Sequence, residues 1–260
     1  MTPGASHADD WDQHWDAYAS AASRNPAQRM RRRLIQNLLR AGSGPARILD
    51  IGCGQGDLVA LLEKLNPRAQ LVGIDYSGAG IRVATAKVPA ARFRRHDLIT
   101  DPATPPELAG WATHAVCSEV LEHVDDPSLL LRNAAGYLAP GCRLVVTVPG
   151  GPMSAFDAHI GHRRHFTPGS LASVVEAAGL EVEVASGAGF PVFNLYRRVV
   201  ILRGEALVKD VEDEGEKGGT LLARTAMGAF DALFRIAGRS QRRGWQVYAV
   251  ARKPGGVSAP

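Results

Sequence analysis

The alternation of short apolar runs with amphipathic stretches is the feature that most constrains the fold of this chain. Runs rich in Val, Ile and Leu recur between segments whose apolar residues have helical spacing. Strands separated by helices predict a doubly wound α/β fold, a mostly parallel sheet with helices on both faces. The predicted strands are 47–51, 70–75, 91–95, 113–118, 142–148, 180–186 and 246–252, and the predicted helices between them are 57–65, 79–87, 127–138 and 168–178.

Two regions fall outside this alternation. Asn25-Pro26 is a typical helix start, so we expect N-terminal helices that end at about residue 40. Before the last strand, aromatic residues and a charged loop interrupt the pattern, which indicates a helical cap. The predicted division is an N-terminal helical segment 1–44, a core 45–187, the cap insertion 188–243, the final core strand 244–253 and a tail 254–260.

Composition narrows the class of protein. The 260 residues carry a formal net charge of +4 and lack the broad basic surface of a nucleic-acid binder, so we expect no nucleic-acid partner. We interpret the local cluster at 29–33 as the solvated face of a helix, with an anchor for anionic lipid head groups or phosphates as the alternative. The sequence shows no signal peptide and no apolar run of roughly 18 residues, so we expect a cytoplasmic protein. Cys53, Cys117 and Cys142 fit buried, reduced thiols.

A glycine-rich turn, DIGCGQGD at residues 50–57, follows the first predicted strand and opens a helix. Glycines there allow positive φ and a close approach of a ligand to the backbone, and the helix start offers free N–H groups. The rival interpretation is a dinucleotide fingerprint, but the third glycine comes one residue early. The carboxylates of Asp50 and Asp57 disfavour a phosphate. Asp50 instead suits the cationic amino group of a methionine moiety.

Acidic residues also follow the next three predicted strands. Asp75 comes about 20 residues after the glycine turn, where a carboxylate can bind both hydroxyls of a ribose. Asp97 and Leu98 follow the third strand, where a carboxylate can accept from an adenine amino group. Ser118 and Glu119 end the fourth strand. Because ligands of such sheets bind at the carboxyl ends of the strands, the set predicts a nucleoside-containing cofactor.

Together these motifs resemble the class I S-adenosylmethionine-dependent methyltransferase superfamily over roughly residues 45–187. RILDIGCGQGD is similar to its glycine-rich motif, LVGIDYS to its ribose-binding motif, HDL to its adenine motif and SEVLEHVDDP to the segment after its fourth strand. The resemblance implies S-adenosylmethionine as the cofactor and a Rossmann-like sheet of seven strands with the last one antiparallel. The implied cofactor-binding residues are Asp50, Gly52, Gly54, Gly56, Asp75, Tyr76, Asp97, Leu98, Ser118 and Glu119.

A second group of residues follows the fourth and fifth predicted strands. Glu119, Glu122 and His123 are spaced so that their side chains can converge after the fourth strand. The stretch GHRRHFT at residues 161–167 follows the fifth strand, which is expected to lie beside the fourth. Two carboxylates and an imidazole suit a divalent cation.

These two segments are similar to those of two metal-using branches of the superfamily. The ubiquinone-pathway O-methyltransferases share E-x-x-E-H, and the small-RNA 2′-O-methyltransferases also have a later histidine followed by an aromatic residue and Thr, as in His162-x-x-x-Phe166-Thr167. The resemblance implies Mg²⁺ or another divalent metal held by Glu119, Glu122, His123 and His162, where it would lower the pKa of an acceptor oxygen. Without a metal, His162 or His165 is the candidate catalytic base, and Arg163 and Arg164 could bind an anionic substrate.

We therefore expect O-methylation of a small-molecule or lipid-type acceptor. The stretch 189–207 combines apolar residues with three arginines, which suits a hydrophobic acceptor pocket or a peripheral contact with a membrane surface. Core packing or a homodimer interface is the alternative role for this stretch. The alternative functions are RNA 2′-O-methylation and non-catalytic binding of S-adenosylmethionine.

Overall fold

The structure is a computed structural model that describes residues 26–202 and 243–255. The N-terminal 25 residues, most of the predicted cap (203–242) and the end of the tail (256–260) lie outside the described residues, and predictions about them stay predictions. The division of the chain into segments likewise remains a prediction.

Helices and strands alternate as predicted. The strands are β1 Arg47–Ile51, β2 Gln70–Asp75, β3 Arg92–Arg95, β4 Ala112–Ser118, β5 Leu138–Pro149, β6 Glu181–Ala188 and β7 Gln246–Arg252. The α-helices are α1 Pro26–Leu39, α2 Asp57–Leu65, α3 Gly78–Lys87, α4 Pro127–Ala134, α5 Ala155–His159, α6 Pro168–Ala177 and α7 Val192–Leu202. Short 3-10 turns lie at Pro106–Leu108, Leu121–His123 and Ala135–Tyr137.

The strands form one seven-stranded sheet in the order β3-β2-β1-β4-β5-β7-β6. The first five strands pair in parallel, and β7 inserts antiparallel between β5 and β6. This confirms the predicted doubly wound sheet with an antiparallel last strand. The strand order reverses between β1 and β4, and such switch points are where ligands bind in open α/β sheets.

Apolar side chains fill both faces of the sheet. Along β5, Val145 packs in a cluster with Ile35 and Leu39 of α1, whereas its neighbours on either side pack in the opposite cluster. The opposite cluster includes Leu131 of α4 and Leu171 of α6. Strands buried on both faces read as continuous apolar runs, which is why β5 has no polar alternation.

Several element ends differ from the prediction. The predicted helix 127–138 is helical only to Ala134 and then continues as a 3-10 turn, because β5 already begins at Leu138, which pairs with Ala112. At the other end, β6 extends to Ala188, the first residue of the predicted cap. The short helix α5 was not predicted. It begins with a capping box formed by Ser154 and Asp157.

The interpretation of the basic cluster as a solvated face is wrong for Arg31. Its side chain is buried, and its guanidinium contacts Glu119 and Gln246 at the edge of the sheet. Arg32 contacts Asp57 at 3.2 Å, so part of the cluster joins α1 to the core. The three cysteines are buried and free, as predicted. Within residues 26–202 and 243–255, every helix is too short or too polar to cross a bilayer.

Candidate active site

The glycine turn connects β1 to α2 and depends on residues without a side chain. Gly52, Gly54 and Gly56 have φ values of 73°, 50° and 74°, a region that side-chain-bearing residues rarely adopt. A Cβ atom on Gly52 would also lie 2.2 Å from Cγ2 of Val120. The turn therefore brings bare backbone to the carboxyl ends of β1 and β4, as the sequence predicts.

Asp75, at the end of β2, holds this turn in place. Its Oδ2 accepts a hydrogen bond from the Gly54 amide at 2.8 Å, and its Oδ1 accepts from the Ser77 amide at 2.8 Å. A carboxylate has about four acceptor positions, so these two contacts are compatible with a ribose diol. The predicted ribose-binding position thus lies directly against the glycine turn.

Asp50 lies deeper, at the end of β1. Burial, together with the neighbouring charge of Asp75, raises the pKa of Asp50 to about 7. A cationic group bound beside it would favour its ionised form, which fits the predicted contact with the amino group of a methionine moiety. Asp57 is different, because its carboxylate contacts Arg32 and Lys87 at 3.2 and 2.8 Å. Asp57 joins three helices, so it carries no information about the charge of the ligand.

The predicted adenine-binding residues follow β3. The Asp97 carboxylate accepts from the Ile99 amide at 2.9 Å and from the Thr100 hydroxyl at 2.7 Å, so its contacts lie within its own turn. Leu98 is buried, and the Tyr76 side chain is 39% exposed at the end of β2. The exposed ring of Tyr76 is placed where a cofactor can cover it, and the role of Asp97 stays a prediction.

Glu119 directly follows β4 and has a positive φ of 57°, which is unusual for a residue with a side chain. Its Oε2 lies 2.7 Å from Nη2 of Arg31, and its Oε1 accepts from the Gln246 amide group at 3.0 Å. Thr147 donates a longer hydrogen bond to the same oxygen, and its hydroxyl also contacts Ser118 at 2.9 Å. The contacts of Glu119 therefore run to α1, β5 and β7.

This placement corrects the prediction that Glu119, Glu122 and His123 converge on one point. The close group comprises Glu122, His123 and His162, whose candidate ligand atoms all lie within 4.8 Å of one another. We call it the first group. Glu119 is outside it, because its carboxylate is paired with Arg31.

The first group contains an unusual carboxylate. Glu122 is fully buried, and neither of its oxygens has a hydrogen-bond partner among the described residues. Burial, with the nearby charge of Glu119, raises the pKa of Glu122 well above its ordinary value. Nε2 of His123 lies 3.9 Å from the carboxylate. Buried carboxylates are normally paired or coordinate a metal, which makes Glu122 a candidate metal ligand.

Backbone contacts bring the segments after β4 and β5 together, as predicted. The Arg163 amide donates to the Glu122 carbonyl at 2.8 Å, and Nδ1 of His123 lies 3.2 Å from the Gly161 carbonyl. Because a carbonyl only accepts, His123 carries its proton on Nδ1, which leaves a lone pair on Nε2. The His123 and His162 rings meet edge to face at 4.8 Å.

His162 and His165, the candidate bases, lie side by side. Burial, followed by the influence of His123, lowers the pKa of His162 to about 3. Burial also lowers the pKa of His165. Both rings are thus neutral at physiological pH. Arg163 and Arg164 both contact Asp125, the first through its carboxylate and the second through its carbonyl at 2.9 Å, which does not support the prediction that they bind substrate.

Sequence reasoning missed three buried polar residues of this region. Arg31 and Gln246 both contact Glu119, and Asp157 lies next to His162 and His165. The S-x-x-D spacing of Ser154 and Asp157 is a helix-start signal that could have located the turn carrying Asp157. No local sequence pattern predicts the two contacts to Glu119, because Arg31 and Gln246 are far from Glu119 in the chain.

The fold and the site together define an α/β enzyme that binds a nucleoside-type cofactor at the carboxyl edge of its sheet. Residues 27–184 match the family described as "Methyltransferase domain". The chain belongs to this family, and it is an S-adenosylmethionine-dependent methyltransferase.

Two kinds of relatives carry more specific names. A ubiquinone biosynthesis O-methyltransferase of Marinobacter nauticus is 30% identical over 171 residues, which cover 58% of this chain and 71% of the relative. A trans-aconitate 2-methyltransferase of Methylobacterium nodulans is 32% identical over 108 residues, which cover 41% of this chain and 40% of the relative.

Solved structures show the same fold at lower identity. The [4+2]-cyclase SpnF superposes with a TM-score of 0.64 at 18% identity, over 98% of both chains. A phosphoethanolamine N-methyltransferase 2 of Haemonchus contortus superposes with a TM-score of 0.62 at 15% identity, over 94% of this chain and 57% of the other. At these identities the likeness concerns the fold alone.

Proposed function

We propose that this methyltransferase methylates an oxygen atom of a small-molecule or lipid-type acceptor, with the help of a divalent metal such as Mg²⁺ held by Glu122, His123 and His162. The observation that carries the proposal is the Glu122 carboxylate, which is fully buried and whose two oxygens have no hydrogen-bond partner within residues 26–202 and 243–255. The match to relatives named ubiquinone biosynthesis O-methyltransferases supports an oxygen acceptor.

The charges around the first group fit a cation. Three carboxylates lie in this region, and two of them have a cationic partner at 2.7 Å: Glu119 has Arg31, and Asp157 has Arg197. Among the described residues, Glu122 has no arginine or lysine at ion-pair distance, and the charge of Arg31 only partly offsets the rise in its pKa. Leaving a buried carboxylate ionised and unpaired costs several kcal/mol, whereas a divalent cation would compensate its charge. Carboxylate and imidazole donors together suit a divalent metal.

The ligand set proposed here is smaller than the one implied by the resemblance. Glu119 could join it only if its carboxylate gave up the contact with Arg31. We therefore place Glu119 beside the metal site, where its negative charge, which helps to raise the pKa of Glu122, adds to the attraction for a cation.

The residues of the chain have distinct roles in the proposed reaction. Bound at the ends of β1 and β2, S-adenosylmethionine supplies an electrophilic methyl group on a sulfonium. A divalent metal in the first group would lower the pKa of an acceptor hydroxyl. The glycine turn and Asp50 orient the methionine end of the cofactor, and the buried surroundings of Glu122 exclude water. Proximity and orientation of this kind account for much of the rate of a two-substrate transfer.

The metal-free alternative assigns proton removal to His162 or His165. A general base works best when its pKa is near the working pH. The pKa of His162 is lowered to about 3, with burial as the main cause. His162 is thus better suited to ligate a metal than to hold a proton, and His165 is the remaining candidate base.

The acceptor side is formed in part by α7. Along this helix Leu195, Val199 and Leu202 are 54%, 42% and 86% exposed. Exposed apolar side chains at helical spacing support an apolar acceptor or a contact with a membrane surface. Peripheral membrane contact, a homodimer and a cytoplasmic location remain predictions.

Calorimetry tests the proposal. Mg²⁺ and Mn²⁺ are titrated into the protein saturated with S-adenosylhomocysteine, and one ion per chain is expected to bind. Glu122→Gln and His123→Gln should abolish binding, whereas Glu107→Gln, a change of an exposed glutamate, should not. No binding to the unaltered protein would contradict metal assistance. Failure to bind S-adenosylhomocysteine would contradict the cofactor site itself.

The acceptor class needs its own assay. Catechol-type and carboxylate-bearing acceptors are incubated with the enzyme, S-adenosylmethionine and Mg²⁺, and the products are identified by mass. Metal-dependent methylation of the catechol oxygen is expected. Methylation of carboxylates that is indifferent to a chelator would contradict the metal-assisted reaction and favour a trans-aconitate-type acceptor.

A further inference from the structure

A second carboxylate–imidazole group lies beside the first. The candidate ligand atoms of Asp157, His162 and His165 all lie within 4.8 Å of one another. We propose that these three residues form a metal site of their own, which takes a borderline cation such as Zn²⁺ and shares His162 with the first group. We call it the second group.

The two oxygens of the Asp157 carboxylate differ: one accepts several hydrogen bonds, and the other has no hydrogen-bond partner among the described residues. The residue is fully buried. Its Oδ2 accepts hydrogen bonds from the Ser154 amide at 2.8 Å, the Ser154 hydroxyl at 2.7 Å and Arg197 at 2.7 Å. Its Oδ1 is buried without a hydrogen-bond partner in the described chain and lies 3.8 Å from Nδ1 of His162. Carboxylates that ligate metals are typically hydrogen-bonded through neighbouring groups in this way.

His165 presents a lone pair to the same place. Its Nδ1 lies 3.0 Å from the Gly151 carbonyl. Since a carbonyl only accepts, Nδ1 carries the proton and Nε2 carries the lone pair. Nε2 lies 3.2 Å from Nδ1 of His162. Without an ion, His162 donates its Nδ1 proton to this nitrogen. To ligate a metal through Nδ1, His162 must move that proton to Nε2, which a neutral imidazole can do.

The spacing of the three atoms suits a small cation. Zinc bonds of about 2.1 Å to nitrogen and oxygen in a tetrahedral site place the ligand atoms about 3.4 Å apart. The distances from Nδ1 of His162 to the other two ligand atoms, 3.2 and 3.8 Å, lie on either side of that value. Small side-chain shifts would therefore bring the three ligand atoms to bonding distance from one Zn²⁺ ion.

The two groups differ in charge, which predicts different metals. Arg197 already neutralises Asp157, so the second group attracts a cation mainly through its two imidazoles. Imidazole suits Zn²⁺, Ni²⁺ and Cu²⁺, whereas Mg²⁺ prefers carboxylate oxygens. The uncompensated Glu122 makes the first group the better site for Mg²⁺.

Sharing His162 makes the two groups compete. A neutral imidazole has one lone pair, so His162 can ligate one ion at a time. An ion in the second group would therefore weaken Mg²⁺ binding in the first. This competition rests on the proposed function, whereas the binding of Zn²⁺ to the second group does not.

Calorimetry with Zn²⁺ alone separates the two groups. His165 belongs to the second group only and His123 to the first only. His165→Gln and Asp157→Asn should weaken Zn²⁺ binding at least about tenfold. His123→Gln should not, and neither should His159→Gln, the matched control in the same segment. Circular dichroism checks the fold of each variant. If Asp157→Asn does not fold, the Zn²⁺ affinity of His165→Gln alone tests the second group.

Co²⁺ gives a second readout, because its visible absorption intensifies when it leaves water for a four-coordinate protein site. The band should appear in the unaltered protein and in His123→Gln, disappear in His165→Gln, and be bleached by Zn²⁺. Unchanged Zn²⁺ affinity in His165→Gln, or a cobalt band lost in His123→Gln but kept in His165→Gln, would overturn the second site. The simultaneous binding of Zn²⁺ and Mg²⁺ would overturn the competition and leave the first group intact.

Discussion

At the end of β2, both oxygens of Asp75 accept hydrogen bonds from backbone amides. After β4, neither oxygen of Glu122 has a hydrogen-bond partner in the part of the chain that the structure describes, although this residue is fully buried. The first carboxylate stabilises the glycine turn through hydrogen bonds that form without a ligand. The second accepts no side-chain hydrogen bond from another described residue, and the burial of its charge destabilises the fold until the carboxylate is protonated or paired. This difference is why we propose a metal ion as the partner of Glu122.

The two regions also differ in what surrounds them. The cofactor edge is formed by the core strands and the turns that follow them. On the acceptor side, two carboxylates are paired with arginines of α1 and α7, the helices that flank the core in sequence. Arginines of the peripheral helices thus form ion pairs with Glu119 and Asp157, whereas Glu122 forms none with an arginine or lysine of the described residues.

The largest effect is expected from filling the glycine turn. In Gly52→Ala the added Cβ meets Val120 at 2.2 Å in a left-handed backbone, and affinity for S-adenosylhomocysteine should fall at least about 100-fold, near 2.7 kcal/mol. Calorimetry measures it. Gly42→Ala is the control, because Gly42 also has positive φ but nothing within 4 Å of a Cβ. Equal affinities in the two variants would show that close packing at the turn is unimportant.

Removing a peripheral arginine should come next. Arg31→Met leaves Glu119 without its cation at a site where both side chains are mostly buried, so the free energy of unfolding should fall by about 2 kcal/mol. Denaturant titration checks this. Arg29→Met, on the exposed side of α1, should change the stability by much less. A similar loss in both variants would contradict the charge compensation.

At the cofactor edge, pH should change the affinity. The pKa of Asp50 is raised to about 7, chiefly by burial, and an ammonium-bearing ligand binds its ionised form. The affinity for S-adenosylhomocysteine should therefore fall as the pH drops below about 7, by up to about tenfold per unit. Asp50→Asn should flatten the profile, whereas Asp57→Asn should preserve it. A flat profile in the unaltered protein would remove Asp50 from the contact.

The smallest effect concerns the stability of the metal-free protein. Burial raises the pKa of Glu122 well above its ordinary value of 4.5, so the unfolded chain releases this proton at a lower pH than the folded chain. Stability should then decrease as the pH rises above about 4.5. In Glu122→Gln this loss is absent, so its melting temperature should exceed that of the unaltered protein by a few degrees at pH 8 and by less at pH 5. If the difference in melting temperature between the two proteins were the same at pH 5 and pH 8, Glu122 would not be unpaired in the folded chain.

Local signals made the cofactor edge predictable. The glycines and Asp75 each follow a strand whose apolar run is visible in the sequence, and the alternation fixes which strand ends share an edge. The neighbourhood of Glu122, His123 and His162 followed from the same reasoning. The position of the Glu119 carboxylate could not be predicted, because it depends on a positive φ and on Arg31. Arg31 contacts Gln246, which is 215 residues away, and no periodic pattern connects positions so far apart.

Anomalous diffraction at the manganese edge, from crystals of the complex with S-adenosylhomocysteine and Mn²⁺, tests the central claim most directly. The proposed function predicts one strong peak within bonding distance of Glu122, His123 and His162, with Glu119 still paired to Arg31. S-adenosylhomocysteine bound at the ends of β1 and β2 with no manganese peak at Glu122 would contradict it.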